Sequence, residues 1–296
     1  MSRVLVLGGS GMLGHKLVQV LGETHETWAT VRGPEPAGPA AELLDPARTI
    51  GDVDASHPDS VATAISKSGA EVVVNAIGVI KQLKTARSEV PTIRINSLFP
   101  HEVAEICAVS DARMIHVSTD CVFSGTRGGY TEEDLPDATD LYGRSKLLGE
   151  VTGAGALTLR TSIVGRELTG ADGLFEWFLS ERGGSVRGFS KAVFSGLTTA
   201  ALAGVIDFVI REYPDLDGLW HVSADPIDKY ELLAGLRSAL EAEIEITPDE
   251  SLVIDRSLDS DRFREWTGWT PPSWPEMLAG MAADPTPYDR LRELDA

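Results

Sequence analysis

The chain has 296 residues, 43% of them hydrophobic, enough to bury a full core without disulfides or metals. Its formal net charge of −19, from 45 acidic and 26 basic residues, repels phosphate backbones and anionic lipid, which excludes nucleic acid and membrane surfaces as expected partners. Two cysteines, Cys107 and Cys121, make no disulfide framework and point to a reducing compartment. No stretch approaches the roughly 18–20 apolar residues of a membrane span, so a cytoplasmic location is expected.

In chain order, Val4–Leu7, Thr27–Val31, Glu71–Asn75, Arg113–Ser118 and Ala156–Arg160 read as strands. They are continuous apolar runs, as strands covered on both faces should be. Met12–Leu21, Ser60–Ser68, Ser97–Val109 and Tyr142–Val151 carry helix-period apolar positions between them. This alternation predicts an α/β fold with a doubly wound parallel sheet. The glycine-rich Gly165–Gly173 stretch is the candidate boundary, dividing the chain into 1–164 and a smaller lobe over 165–296 whose segments can interleave with the first part. Beyond it, helical patterns at Leu174–Glu181, Thr198–Ile210, Lys229–Leu240 and Asp259–Trp266 surround short strands such as Leu219–Val222. The charged tail from Asp284 reads as peripheral.

The first strand runs into Gly8-Gly9-Ser10-Gly11-Met12-Leu13-Gly14 and then a helix. Glycines there permit a tight turn and let backbone N–H groups approach a pyrophosphate at a helix N-terminus, the arrangement of a Rossmann dinucleotide site. Two registers fit, Gly9/Gly11/Gly14 and Gly8/Gly11/Gly14. An enzyme selective for NAD usually ends its second strand with an acid for the ribose hydroxyl. Here Arg32 stands in that place, and a guanidinium suits a 2′-phosphate, so NADPH is the expected cofactor with NADH as the alternative. Asp52 and Val53 follow the next short apolar turn, where they suit an adenine amino group.

Tyr142 and Lys146 stand four residues apart at the start of a helical run, which puts both on one face. A phenol with a pKa of about 10 is a poor acid at neutral pH, and an adjacent ammonium is expected to lower it. Upstream, Ile115–Asp120 reads as a strand ending in hydroxyls, so Thr119 can bond the same carbonyl oxygen as Tyr142.

Taken together, VLVLGGSGMLG, STDCVFSG, LYGRSKLLGE, LRTSIVG, GLWHVSADPIDKYEL and RSLDSDRF resemble the extended short-chain dehydrogenase/reductases, and within them the dTDP-4-dehydrorhamnose reductase family. The resemblance covers nearly the whole chain except 168–199. It implies hydride delivery from NADPH to C4 of a nucleotide-linked 4-keto-6-deoxy sugar, in deoxysugar or polysaccharide biosynthesis. It implies a catalytic group of Thr119, Tyr142 and Lys146. It further implies cofactor contacts from Ala76, Ile77 and Gly78 after the fourth strand and from Thr161 and Ser162 near the nicotinamide. Lys81, Asp120, Cys121 and Ile163 complete the expectation as substrate contacts, and a homodimer is admitted. The family commonly has Tyr where Cys121 stands and Trp where Ile163 stands, so two aromatic walls of the sugar pocket are smaller here. Sugar-nucleotide dehydratases resembling this family place Glu at the Cys121 position, which argues against that chemistry. The alternatives are an NAD-dependent epimerase, or a non-catalytic nucleotide-binding regulatory subunit like that of methionine adenosyltransferase. No histidine or cysteine spacing of a metal site is present.

Overall fold

The computed structural model describes residues 1–80, 88–153 and 155–294. The first part alternates as β1 (Arg3–Leu7), α1 (Gly14–Leu21), β2 (Glu26–Thr30), α2 (Pro39–Leu43), β3 (Thr49–Ile50), α3 (Pro58–Ser68) and β4 (Val72–Asn75). It continues with α4 (Glu89–Ile93), a π-helical turn at Arg94–Leu98, α5 (Phe99–Val109), β5 (Arg113–Thr119), α6 (Leu141–Leu148) and β6 (Ala156–Thr161). The second part holds β7 (Ile163–Val164), α7 (Leu174–Ser180), β8 (Ser185–Phe189), β9 (Ala192–Phe194), β10 (Leu197–Thr198), α8 (Thr199–Glu212) and β11 (Gly218–His221). It ends with β12 (Ile227–Asp228), α9 (Lys229–Ala239), β13 (Glu245–Asp249), β14 (Ile254–Asp255), α10 (Asp261–Thr267), α11 (Trp274–Ala282) and α12 (Tyr288–Glu293).

Seven strands form one parallel sheet in the order β11-β6-β5-β4-β1-β2-β3. Side chains along a strand alternate between faces, and β1 shows both faces covered. Val4 and Val6 enter a core with Leu17 of α1 and Leu202 of α8, while Leu5 and Leu7 enter another with Val61 of α3 and Phe99 of α5. Val4, Leu5, Val6 and Leu7 are fully buried, each contributing roughly 1.5–3 kcal/mol. This is why the strand reads as an unbroken apolar run. The seventh strand, β11, comes from beyond residue 164, so the smaller lobe returns to the main sheet.

Among the described residues that lobe holds three small sheets, β10-β7, β12-β9-β14 and β13-β8, with α9 against the last two and α11 against β10 and α9. Its tail corrects the expectation of a peripheral C-terminus. Tyr288 and Leu291 of α12 are buried in a cluster with Ala29, Val31 and Leu168. Lys16 pairs with Asp284 at 2.5 Å, and the Tyr288 hydroxyl lies 2.8 Å from His15 Nε2. The polar sequence conceals two anchors on one turn of helix. Among the described residues no helix is long and apolar enough to cross a membrane.

Candidate active site

Strand register places the ends that matter along one edge of the sheet. Leu7 pairs with Asn75, Asn75 with His116, and Thr119 with Thr161. The loops leaving β1, β4, β5 and β6 therefore meet over the carboxyl edge, where ligands of open α/β sheets bind. They line a cavity of about 680 Å³, closed on its far side by the smaller lobe. Of the residues singled out in the sequence, Ser10, Gly11, Met12, Leu13, Ala76, Ile77, Gly78, Thr119, Asp120, Cys121, Tyr142, Lys146, Thr161, Ser162 and Ile163 line it, while Gly8 and Gly14 shape the loop without lining it.

The glycine loop turns at Gly8, whose φ is +85°, a conformation that favours glycine. Gly9 N–H donates to the Thr30 carbonyl at 2.8 Å, which ties the loop to the end of β2. A Cβ on Gly14 would lie 1.9 Å from the Gly8 carbonyl oxygen, so only glycine lets α1 start this close to β1. No side chain caps α1, and its first turn holds no acid. Uncapped backbone donors at the positive end of a helix are a fitting seat for a pyrophosphate. The His15 ring lies against the same loop, with Nδ1 2.8 Å from the Gly11 carbonyl oxygen.

The three candidate catalytic residues converge through local constraints. Asp140 caps α6, its carboxylate accepting from the Gly143 N–H at 2.9 Å. A Cβ on Gly143 would fall 2.2 Å from the Cys121 carbonyl oxygen, so glycine here allows α6 to press against the turn after β5. That contact sets the Tyr142 phenol beside Thr119. Lys146 is buried and donates to the Val117 carbonyl at 2.8 Å. The far end of α6 is fixed by Glu150, which pairs bidentately with buried Arg160 at 2.7 Å and accepts from Ser118 at 2.7 Å. Asn96, in the π-helical turn, latches the loop after β4 to α6: its amide reaches the Val79 carbonyl at 3.0 Å and the Ser145 hydroxyl at 3.2 Å.

Electrostatics correct one expectation. The Tyr142 phenol is pushed up from its ordinary value by burial, with Cys121 adding and the Thr119 hydrogen bond opposing. Lys146 is anchored to β5 and is itself pulled down to about 8 by burial, with Glu150 opposing. A phenol raised in this way keeps its proton at neutral pH. Asp120 is raised by burial, against the pull of Arg256 and Lys229.

Other expected residues fall elsewhere. Arg32 is exposed just past β2, on the side of the sheet edge reached by the glycine loop and outside the main cavity. Asp52 is exposed beside it, with φ of +59°. The Val53 side chain belongs to the core, leaving only its backbone for a ligand. Lys81 lies outside the described residues. The structure adds Lys229, Phe194 and Arg256, which line the cavity from the smaller lobe. Lys229 and Arg256 sit inside the segments GLWHVSADPIDKYEL and RSLDSDRF, so a cation in each was the available signal.

A family model described as the RmlD substrate binding domain matches residues 2–235. The chain belongs to the RmlD substrate-binding-domain family. The matched RmlD span takes in the glycine loop, Thr119, Tyr142, Lys146 and the start of α9. Curated relatives include methionine adenosyltransferase 2 subunit beta of Mus musculus, 29% identical over 152 residues, covering 50% of this chain and 41% of the relative. They also include the dTDP-4-keto-6-deoxy-D-glucose reductase of Streptomyces niveus, 28% identical over 149 residues, covering 50% of this chain and 46% of the relative. The chain thus spans under half the length of these relatives. Among solved structures, the dTDP-4-dehydrorhamnose reductase of Bacillus anthracis in complex with NADP superposes with a TM-score of 0.75. It is 20% identical, covering 95% of this RmlD-family chain and 98% of that one, and so attests the fold.

Proposed function

We propose that the protein is an NADPH-dependent reductase of a keto group on a nucleotide-activated sugar, with a 4-keto-6-deoxy sugar as the expected class. The observation carrying this reading is the convergence of Thr119, Tyr142 and Lys146 on one wall of a cavity whose next wall is the glycine loop. Relatives named as nucleotide-sugar reductases, and a neighbouring fold crystallised with NADP, support it.

The loop over Gly8–Gly14 and the start of α1 would hold the pyrophosphate, Arg32 the 2′-phosphate, and Ala76–Gly78 with Thr161 and Ser162 the nicotinamide side. The bound cofactor supplies hydride. The protein's own part is to place a carbonyl oxygen between the Thr119 and Tyr142 hydroxyls and to give it a proton. A phenol raised by burial keeps that proton in the resting site and releases it when negative charge develops on the substrate oxygen. Lys146, charged below about pH 8, stabilises the phenolate left behind. Cys121 and Ile163 are half-buried walls and supply no acid or base in this scheme. Both cysteines are free thiols, which suits a reducing compartment such as the cytoplasm.

The test is NADPH consumption with a panel of nucleotide-linked 4-keto sugars. Turnover that falls on Tyr142→Phe by roughly 10²–10⁴-fold, with cofactor affinity unchanged, is the expected result. Cofactor binding without turnover of any keto sugar nucleotide would overturn the reading. It would favour a nucleotide-binding subunit of the kind named by the Mus musculus relative.

A further inference from the structure

Beside the turn that follows Thr119, the smaller lobe lines the cavity with a second set of charges that the reduction step does not use. Lys229 opens α9 and turns its ammonium over the Phe194 ring, 3.4 Å from the centroid. Among the described residues no hydrogen bond or ion pair engages that ammonium, so its donors face the cavity beside the aromatic ring, with Asp120 and Cys121 near but not bonded to it. Burial pulls Lys229 down to about 8, with Asp120 and Cys121 opposing. Arg256 lines the cavity beside it and commits its Nε to the Phe123 carbonyl at 2.9 Å, with no other hydrogen bond described for the remaining guanidinium nitrogens. The third cation of the cavity, Lys146, is held by Val117.

We propose that Lys229 and Arg256 form an oxyanion receptor that grips a negatively charged group of the nucleotide sugar and so sets which substrates enter. The assignment rests on the reductase reading above and extends it to recognition. A chain with a net charge of −19 repels an anionic substrate, so attraction has to come from local cations. An ammonium held against an aromatic ring and left without an acceptor is costly until a counter-ion arrives. Asp120 attracts both cations through space, but no ion pair or hydrogen bond among the described residues joins it to either, so their donors stay open to a ligand. Phosphate oxygens of the diphosphate, or a carboxylate on the sugar, share the required chemistry.

The experiment measures binding of UDP, dTDP, UDP-glucose and UDP-glucuronate to the NADPH-loaded protein by calorimetry, for the parent and for Lys229→Met, Lys229→Arg and Arg256→Met. Loss of a charge-assisted contact should weaken binding by roughly tenfold to a hundredfold, while NADPH affinity and thermal stability hold. Equal loss for all four ligands in Lys229→Met, with recovery in Lys229→Arg, assigns the receptor to the diphosphate. Loss confined to UDP-glucuronate assigns it to a sugar carboxylate. Parental affinities in both Lys229→Met and Arg256→Met would overturn the proposal and leave the reductase reading standing. A parent that binds NADPH but none of the four would overturn the reductase reading and this assignment with it.

Discussion

Lys146 donates to the carbonyl oxygen of Val117 at 2.8 Å, which anchors the ammonium to the strand that delivers Thr119 two residues later. One cation therefore couples α6 to β5, and Tyr142, the proposed acid, rides on the same helix. Removing it should have two effects at once. Lys146→Met is expected to lower kcat and weaken NADPH together, whereas Tyr142→Phe lowers kcat alone. The pH response has a definite sign: Lys146 is charged below about 8 and loses its charge above, so cofactor affinity should decline as pH rises through that value. Titration of NADPH binding from neutral to alkaline pH checks it, and a response unchanged in Lys146→Met would show that another group is responsible.

Arg32 stands exposed past β2, beside a glycine loop tied to that strand by the Gly9–Thr30 hydrogen bond. If its guanidinium reads a 2′-phosphate, Arg32→Ala should weaken NADPH by roughly 1.5–3 kcal/mol and leave NADH nearly untouched. Parallel affinity measurements for both cofactors decide the matter. Equal affinities in the parent protein would remove Arg32 from the site.

Much of this was legible in the sequence, and the reason is local. Val4–Leu7 is buried on two faces by two different cores, so its apolar run announces a central strand, and Gly14 is required by its close approach to Gly8, six residues earlier. What escaped depends on distant partners. β3 and β7 are two residues long and carry no period. Asn96 looks like any polar residue of a helix until the π-helical turn aims it at Val79 and Ser145. Lys229 is a helix-start cation whose direction is set by Phe194, thirty-five positions earlier in the chain. The lowered tyrosine pKa expected from i, i+4 spacing fails for the same reason: Val117 takes the ammonium, and burial governs the phenol.

Two glycines with opposite surroundings make a paired prediction. Gly14→Ala would place a methyl group 1.9 Å from the Gly8 carbonyl oxygen, forcing the loop or α1 to shift. It should lower stability by roughly 1–3 kcal/mol and abolish tight cofactor binding. Gly204, exposed inside α8, has nothing within 4 Å of an added Cβ. Gly204→Ala should raise stability by roughly 0.5–1 kcal/mol with NADPH affinity unchanged. Denaturant midpoints and cofactor titrations read both, and a Gly14→Ala protein with parental affinity would show that the loop tolerates a side chain.

His15 and His221 are buried, and burial pulls each from an ordinary 6.5 to about 4. Burial keeps His15 neutral, against the opposing pull of its Gly11 hydrogen bond. Its Nδ1 must carry the hydrogen to reach the Gly11 carbonyl, which leaves Nε2 to accept from the Tyr288 hydroxyl at 2.8 Å. Between about pH 6.5 and 4 the unfolded chain therefore binds protons that the folded chain refuses. Stability is present in full above the higher value and falls as pH drops through the window, by at most about 3 kcal/mol per imidazole. Asp120 and Glu167, both raised by burial, act in the opposite sense over the acid part of the window, so the whole-protein slope alone is not diagnostic. His15→Gln separates the contributions. It should lower Tm at pH 7, because the link between the glycine loop and α12 is lost, yet it should lose less Tm than the parent on acidification to pH 5. Thermal unfolding of both proteins at the two pH values provides the comparison. Parallel losses in parent and variant would mean that His15 takes up no proton on unfolding, and that its place between Gly11 and Tyr288 has no bearing on acid stability.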